Sequence, residues 1–146
     1  MTRYTRPEVQ ARLRAELDAG RPILMFGAGT GLTARCAELG GADLIGIYST
    51  AFARMSGQPS LLGWLPYADV NEEVLRRTRD ILPAVRSTPS IAGVGAHDPG
   101  RQHGLLVDDL ARLGYSGITN EPFCGLYGPE FGAQLEAAGL GFSREV

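Results

Sequence analysis

Ten residues, Pro22-Ile23-Leu24-Met25-Phe26-Gly27-Ala28-Gly29-Thr30-Gly31, restrict the fold more than any other stretch of the chain. An apolar run without polar alternation stops in three glycines and passes directly into a helical pattern. That pattern predicts a parallel strand covered on both faces and feeding a helix. The glycines admit two readings: a tight strand-to-helix turn, or a loop whose main-chain N–H groups approach an anion at the start of the next helix. Leu32 and Thr33 stand where a dinucleotide loop has its later glycine, and the second strand ends in Tyr48-Ser49 with no acid for a ribose. A nucleotide cofactor is therefore not expected, and a dinucleotide-binding domain is the weaker reading. The Gly-Lys-Ser/Thr of a P-loop is missing.

Around this stretch the hydrophobic pattern predicts a helix, then four strand-helix units. Pro7 opens a first helix with Val9, Leu13 and Leu17 on one face and Gly20 as its stop, placed to cap one end of a sheet. Leu32, Cys36 and Leu39 predict the apolar face of a second helix, and Asp43 to Tyr48 a second buried strand. Ser49 to Val70 reads as a long loop, of the kind that is often functional. Asp69 and Glu72 read as a capping box for a helix carrying Val74, Leu75, Thr78, Ile81 and Leu82 as far as Pro83. A third strand covers Ser90 to Gly95, and Leu105, Leu106, Leu110 and Leu113 make a helix stopped by Gly114. Tyr115 to Thr119 reads as a fourth strand, and a last helix around Phe131, Leu135 and Ala138 closes at Gly139. The expectation is one α/β domain over 1–146, with a capping helix at 1–20 and four βα units at 22–146.

Composition narrows the partners. At 146 residues and 44% apolar side chains the chain can bury one core. A net charge of −2 with no basic stripe gives no reason to expect nucleic acid. No apolar segment reaches spanning length and the first six residues lack the apolar region of a signal peptide, so no membrane and a cytoplasmic location are expected. Cys36 reads as a small core residue and Cys124 as a loop cysteine near the site. Neither has a second ligand nearby at metal spacing, so neither a zinc site nor a disulfide framework is expected.

In parallel α/β sheets ligands gather at the carboxyl ends of the strands, and here Thr30, Tyr48, His97, Asp98, Asn120 and Glu121 fall at those ends. Trp64 and Tyr67 read as packing anchors of the long loop.

Several motifs resemble the TIM-barrel family described as phosphoenolpyruvate hydrolase-like, which also forms the C-terminal part of a plant tobamovirus-resistance protein. They are Gly27-Ala28-Gly29-Thr30-Gly31-Leu32, Gly41-Ala42-Asp43-Leu44-Ile45, Arg54-Met55, Ser60-Leu61, Leu65-Pro66-Tyr67-Ala68-Asp69, Gly93-Val94 with Asp98-Pro99, and Leu135-Glu136 with Gly139. Two strand ends depart from the family pattern, Ser49-Thr50-Ala51 after Tyr48 and the run Asn120-Glu121-Pro122-Phe123. The resemblance implies that the chain is the first half of a barrel, a parallel (βα)4 half with a capping helix. Four strands leave two open edges, so pairing with a second half-barrel or a homo-oligomer is expected.

The resemblance also implies a hydrolase or lyase of the phosphoenolpyruvate or pyruvate type acting on a small anionic oxo-acid. A non-catalytic anion-binding or regulatory module is the alternative. Such chemistry needs an anion cradle, for which Gly27, Gly29, Thr30 and Gly31 are placed, with Arg54 as a charged fork and Tyr48 and Asn120 as hydrogen-bonders. His97, Asp98 and Glu121 are the catalytic candidates: His97 for proton transfer, and Asp98 with Glu121 also as hard-oxygen ligands for Mg²⁺.

Overall fold

Four short parallel strands lie side by side in the order in which the chain makes them, β1 (Met25–Gly27), β2 (Leu44–Ile47), β3 (Ser90–Val94) and β4 (Gly117–Asn120). The computed structural model describes residues 3–146. Register runs Gly27 to Gly46, Gly46 to Ile91 and Gly93 to Thr119. The helices are α1 (Arg6–Asp18), α2 (Gly31–Leu39), α3 (Ser49–Met55), α4 (Val70–Ile81), α5 (His103–Leu113) and α6 (Pro129–Ala137). This is the α/β half-barrel arrangement expected from the sequence.

Alternation along the strands sends successive side chains to opposite faces. Ile45, Ile47, Ala92 and Val94 go to the helix side, where they join Phe52, Val74, Ile81, Leu82, Leu106 and Leu110 in one core. Tyr115 closes that core from beyond α5: its hydroxyl meets Thr78 Oγ1 at 2.9 Å, and burial, against that hydrogen bond, pushes the phenol up to about 12. Gly114, at φ 110°, ends α5 in the left-handed conformation that glycine takes without strain.

Burial is centred on β2 and β3 and fades towards both edges. The first strand was expected to be covered on both faces; instead Leu24, Met25 and Phe26 are exposed, because β1 is an open edge. No residue of α1 or α6 is buried. Tyr4 ties the approach to α1 onto the loops that precede β4 and β3, its N–H donating to Ser116 Oγ at 3.0 Å and its hydroxyl to the Ser87 carbonyl at 2.8 Å.

Two helical patterns read differently once packed. On α2, Leu32 and Leu39 are 75% and 71% exposed and Cys36 is exposed too, while Ala34 turns inward. The start of α2 is so close to the end of α4 that a Cβ on Gly31 would stand 2.6 Å from the Asp80 carbonyl oxygen, and only small residues fit between. The same side of α2 delivers Glu38, whose carboxylate accepts the N–H groups of Arg86, Ser87 and Thr88 and an ion pair from Arg35 at 2.6 Å. Burial acts against its ionisation, yet those donors outweigh it and hold the carboxyl down at about 2. In the expected loop at 49–70, residues 49–55 are helical and residues 60–64 form a 3-10 turn. Trp64 anchors this segment, donating to the Phe123 carbonyl at 2.8 Å and meeting the Phe123 ring edge-on, whereas Tyr67 is 77% exposed.

Candidate functional site

The side of the sheet that faces away from the helices is floored by glycine. A Cβ on Gly27 would collide with the Tyr48 hydroxyl and lie 2.8 Å from Arg54 Nη2; one on Gly46 or Gly93 would collide with other parts of Tyr48. Glycine at these points on three of the four strands leaves a trough, and the Tyr48 ring lies across it. Arg54 reaches the same place from α3, its guanidinium carbon 6.0 Å from the Tyr48 ring centroid. Glu121 enters from the end of β4, where its Oε1 accepts the Thr50 hydroxyl at 2.9 Å. Arg54 Nη1 is steadied by Thr50 Oγ1 at 3.4 Å and Ser60 Oγ at 3.2 Å.

Burial raises the Glu121 carboxyl, and the Thr50 hydrogen bond and the nearby Arg54 charge only partly offset it. An acid of raised pKa beside a fixed cation and a phenol is a set that can hold an anion and move a proton. Of the residues expected at the site, Gly27, Tyr48, Arg54 and Glu121 meet here. Thr50, which holds two of them, was not among them. It belongs to one of the two stretches that depart from the family pattern, and Glu121 belongs to the other.

The remaining loop residues have local duties. A Cβ on Gly29 would collide with the Ala51 carbonyl, so Gly29 lets α3 pack on the loop, as Gly31 does for α4. Thr30 caps α2: Thr33 N–H donates to its Oγ1 and its own N–H donates to Thr33 Oγ1, both at 3.2 Å.

His97 and Asp98 line a separate cleft of about 570 Å³ between the end of β3 and the 63–71 segment, with Trp64, Asn71 and Tyr127. Asn71 is buried and clamps Gly95 through both its carbonyl and its N–H, at 2.9 Å each. Asp98 accepts the Gly100 N–H at 2.8 Å, Asn71 at 3.3 Å and Arg101 Nε at 3.0 Å. Burial opposes its ionisation, but these three partners outweigh it and lower its pKa. Arg101 also pairs with Glu72 and Asp69 at 2.8 and 3.3 Å.

Asn120, on the opposite side of β4 from Glu121, donates to Glu145 Oε2 at 2.8 Å. The Glu145 side chain is shielded completely from solvent. It also accepts the Cys124 N–H at 2.7 Å and lies 3.5 Å from His97 Nε2. Cys124, read from the sequence as a loop cysteine near the site, is buried. Nothing in the local sequence pattern singles out Glu145, because its partners lie 21 to 48 positions earlier in the chain.

The donor set can be tested against Mg²⁺ directly. Glu121 offers a hard oxygen whose charge is poorly compensated, which suits a cation. Asp98 has given its oxygens to a guanidinium, an amide and a backbone N–H, and shares no partner with Glu121. Of the two carboxylates, Glu121 is the one with its charge left for a cation.

Among the described residues, no helix is long and apolar enough to cross a membrane. The crystal structure of a phosphonopyruvate hydrolase in complex with oxalate and Mg²⁺ is similar in fold, with a TM-score of 0.59 and 23% identity over 99% of this chain and 50% of that one. The phosphoenolpyruvate phosphomutase of Streptomyces platensis subsp. rosaceus gives a TM-score of 0.55 and 25% identity, covering 75% of this chain and 37% of that one. The ToMV resistance protein Tm-1(GCR237) of Solanum lycopersicum is 39% identical over 145 residues, 99% of this chain but 19% of that protein, so the chain spans about a fifth of that relative's length. The phosphoenolpyruvate hydrolase-like family model matches residues 8–146. By that match, and by the four parallel strands whose ends carry the constellation above, the chain belongs to the phosphoenolpyruvate hydrolase-like family.

Proposed function

We propose that this chain supplies the anion-binding and proton-transferring half of a TIM-barrel enzyme that acts on a small oxo-acid or enolpyruvate-type anion. The observation that carries the reading is the trough of Gly27, Gly46 and Gly93 with Tyr48, Arg54 and Glu121 gathered over it. Arg54 pairs with the carboxylate or phosphonate end of the substrate. The Tyr48 hydroxyl donates to the oxygen on which negative charge develops. Glu121, protonated more readily than an ordinary carboxyl, passes a proton to or from the reacting atom. His97 and Asp98 lie in the neighbouring cleft, where Asp98 orders Arg101 and Asn71. Mg²⁺, named with the phosphonopyruvate hydrolase, supplies charge stabilisation when bound, and Glu121 is the residue here that would face it.

Oxalate, phosphonopyruvate and phosphoenolpyruvate, each titrated into the protein, should raise its unfolding temperature, and Arg54→Ala should remove the response. Release of pyruvate from either substrate, lost in Glu121→Gln, marks the enzyme. A thermal response without turnover marks the binding module instead. No response to any of the three overturns both.

The reading extends to the open edges. A second four-stranded half, in another chain or in a longer polypeptide, would pair with β1 and β4 and cover the trough. Light scattering of the protein alone, and a search for sheet pairing by hydrogen exchange at Met25 and Ile118, test this: a monomer with both edges freely exchanging counts against it.

A further inference from the structure

We infer that His97, Cys124 and Glu145 form a binding site for a divalent transition metal of the Zn²⁺ type, separate from the glycine-floored trough. The three side chains offer an imidazole nitrogen, a thiol sulfur and a carboxylate oxygen, all within 4.8 Å of one another. His97 Nε2 is buried and has no hydrogen-bond partner, yet it lies 3.5 Å from Glu145 Oε1. A buried nitrogen is seldom left unpaired without a reason. Around a tetrahedral zinc, ligand atoms at the usual bond lengths stand roughly 3.3–3.6 Å apart. The His97 and Glu145 atoms already have that separation, and the thiol, within 4.8 Å of both, needs to close by roughly 1.2–1.5 Å at most.

The surroundings match what metal ligands require. The Glu145 side chain is completely shielded, and among the described residues no arginine forms an ion pair with it. Its carboxylate is aimed by Asn120 Nδ2 and by the Cys124 N–H, the kind of outer hydrogen bond that orients a ligand. Burial raises the Cys124 thiol, and the neighbouring Glu145 carboxylate raises it further. A bound cation reverses that balance and takes the thiolate, releasing a proton. A mixed sulfur, nitrogen and oxygen set excludes Mg²⁺ and Ca²⁺, which take oxygen, and favours Zn²⁺ or Co²⁺. Three protein ligands leave a fourth position for water or a bound molecule, and His97 also lines the 570 Å³ cleft.

The test loads chelator-treated protein with the metal alone. Co²⁺ should bind one equivalent and give a thiolate-to-cobalt charge-transfer absorption with tetrahedral d–d bands. Cys124→Ser should abolish the charge-transfer band. Glu145→Gln, which keeps an acceptor for the Cys124 N–H, should weaken Zn²⁺ at least tenfold in competition with a chromophoric chelator, with Mg²⁺ unable to compete. Circular dichroism checks that both variants fold, and if either does not, the wild-type cobalt spectrum decides alone. Folded wild-type protein without the charge-transfer band, or Zn²⁺ affinity unchanged in both folded variants, overturns the site.

Discussion

One step along a strand separates two kinds of surface in this protein. On β2, Ile45 and Ile47 face the helices and are completely buried, while Gly46 between them faces the other way and leaves room for the Tyr48 ring. On β3, Ala92 and Val94 face the helices and Gly93 faces the trough. The helix side is filled with branched side chains; the far side is emptied by glycine and then occupied by a phenol, a guanidinium and a carboxyl. The lesson is a division of labour by parity. Stability comes from one set of alternate residues, and the capacity to hold a ligand comes from the other.

That division can be broken most forcefully at Ile47. Ile47→Ala removes a completely buried side chain and should cost about 2–5 kcal/mol in urea unfolding. The folded fraction should still bind oxalate with unchanged affinity; a loss of affinity would show that the two faces are not independent.

Glu38 comes next, a helix-side carboxylate with no role in the trough. Its folded pKa is depressed from 4.5 to about 2, so its stabilisation is fully present above 4.5 and is lost as pH falls through that window. The full shift corresponds to roughly 3 kcal/mol, and allowing for solvent screening we expect Glu38→Gln to cost roughly 1–2 kcal/mol at pH 7. The difference between variant and parent should shrink towards pH 2 in acid titrations followed by circular dichroism.

Gly27→Ala tests the other face. The added methyl displaces Tyr48 and Arg54, so oxalate affinity should fall at least tenfold while stability changes by less than about 1 kcal/mol. A larger stability loss with affinity retained would place Gly27 with the packing set.

Glu121→Gln carries the smallest stability effect and the opposite sign. A raised carboxyl costs stability where it is ionised, above its folded pKa, and that cost vanishes below its unfolded value. The variant should match or exceed the parent at neutral pH, within about 0.5 kcal/mol, and converge with it in acid.

Much of this was legible in the residues. Local patterns placed all four strands and every helix but α3, whose residues read as a long loop; the strand ends named Tyr48 and Glu121, the glycine run Gly27 and the expected loop Arg54 before any geometry. The helix faces were less legible. Leu32 and Leu39 have the spacing of a buried face, yet the small residues opposite them allow α2 to approach α4, and the leucines point to solvent. Thr50 was passed over because a hydroxyl carries no signal until its partner 71 positions later is known.

What the sequence by itself determined is the order and direction of the elements and the positions where chain turns meet polar residues. These depend on hydrophobic period and on glycine and proline punctuation, which act within a few residues. What only the tertiary structure decided is which side chains share a space: Thr50 with Glu121, Asn71 with Gly95, Glu145 with His97. Burial and electrostatics are set by neighbours brought from far along the chain, so the sequence could name the groups while folding alone could introduce them to one another.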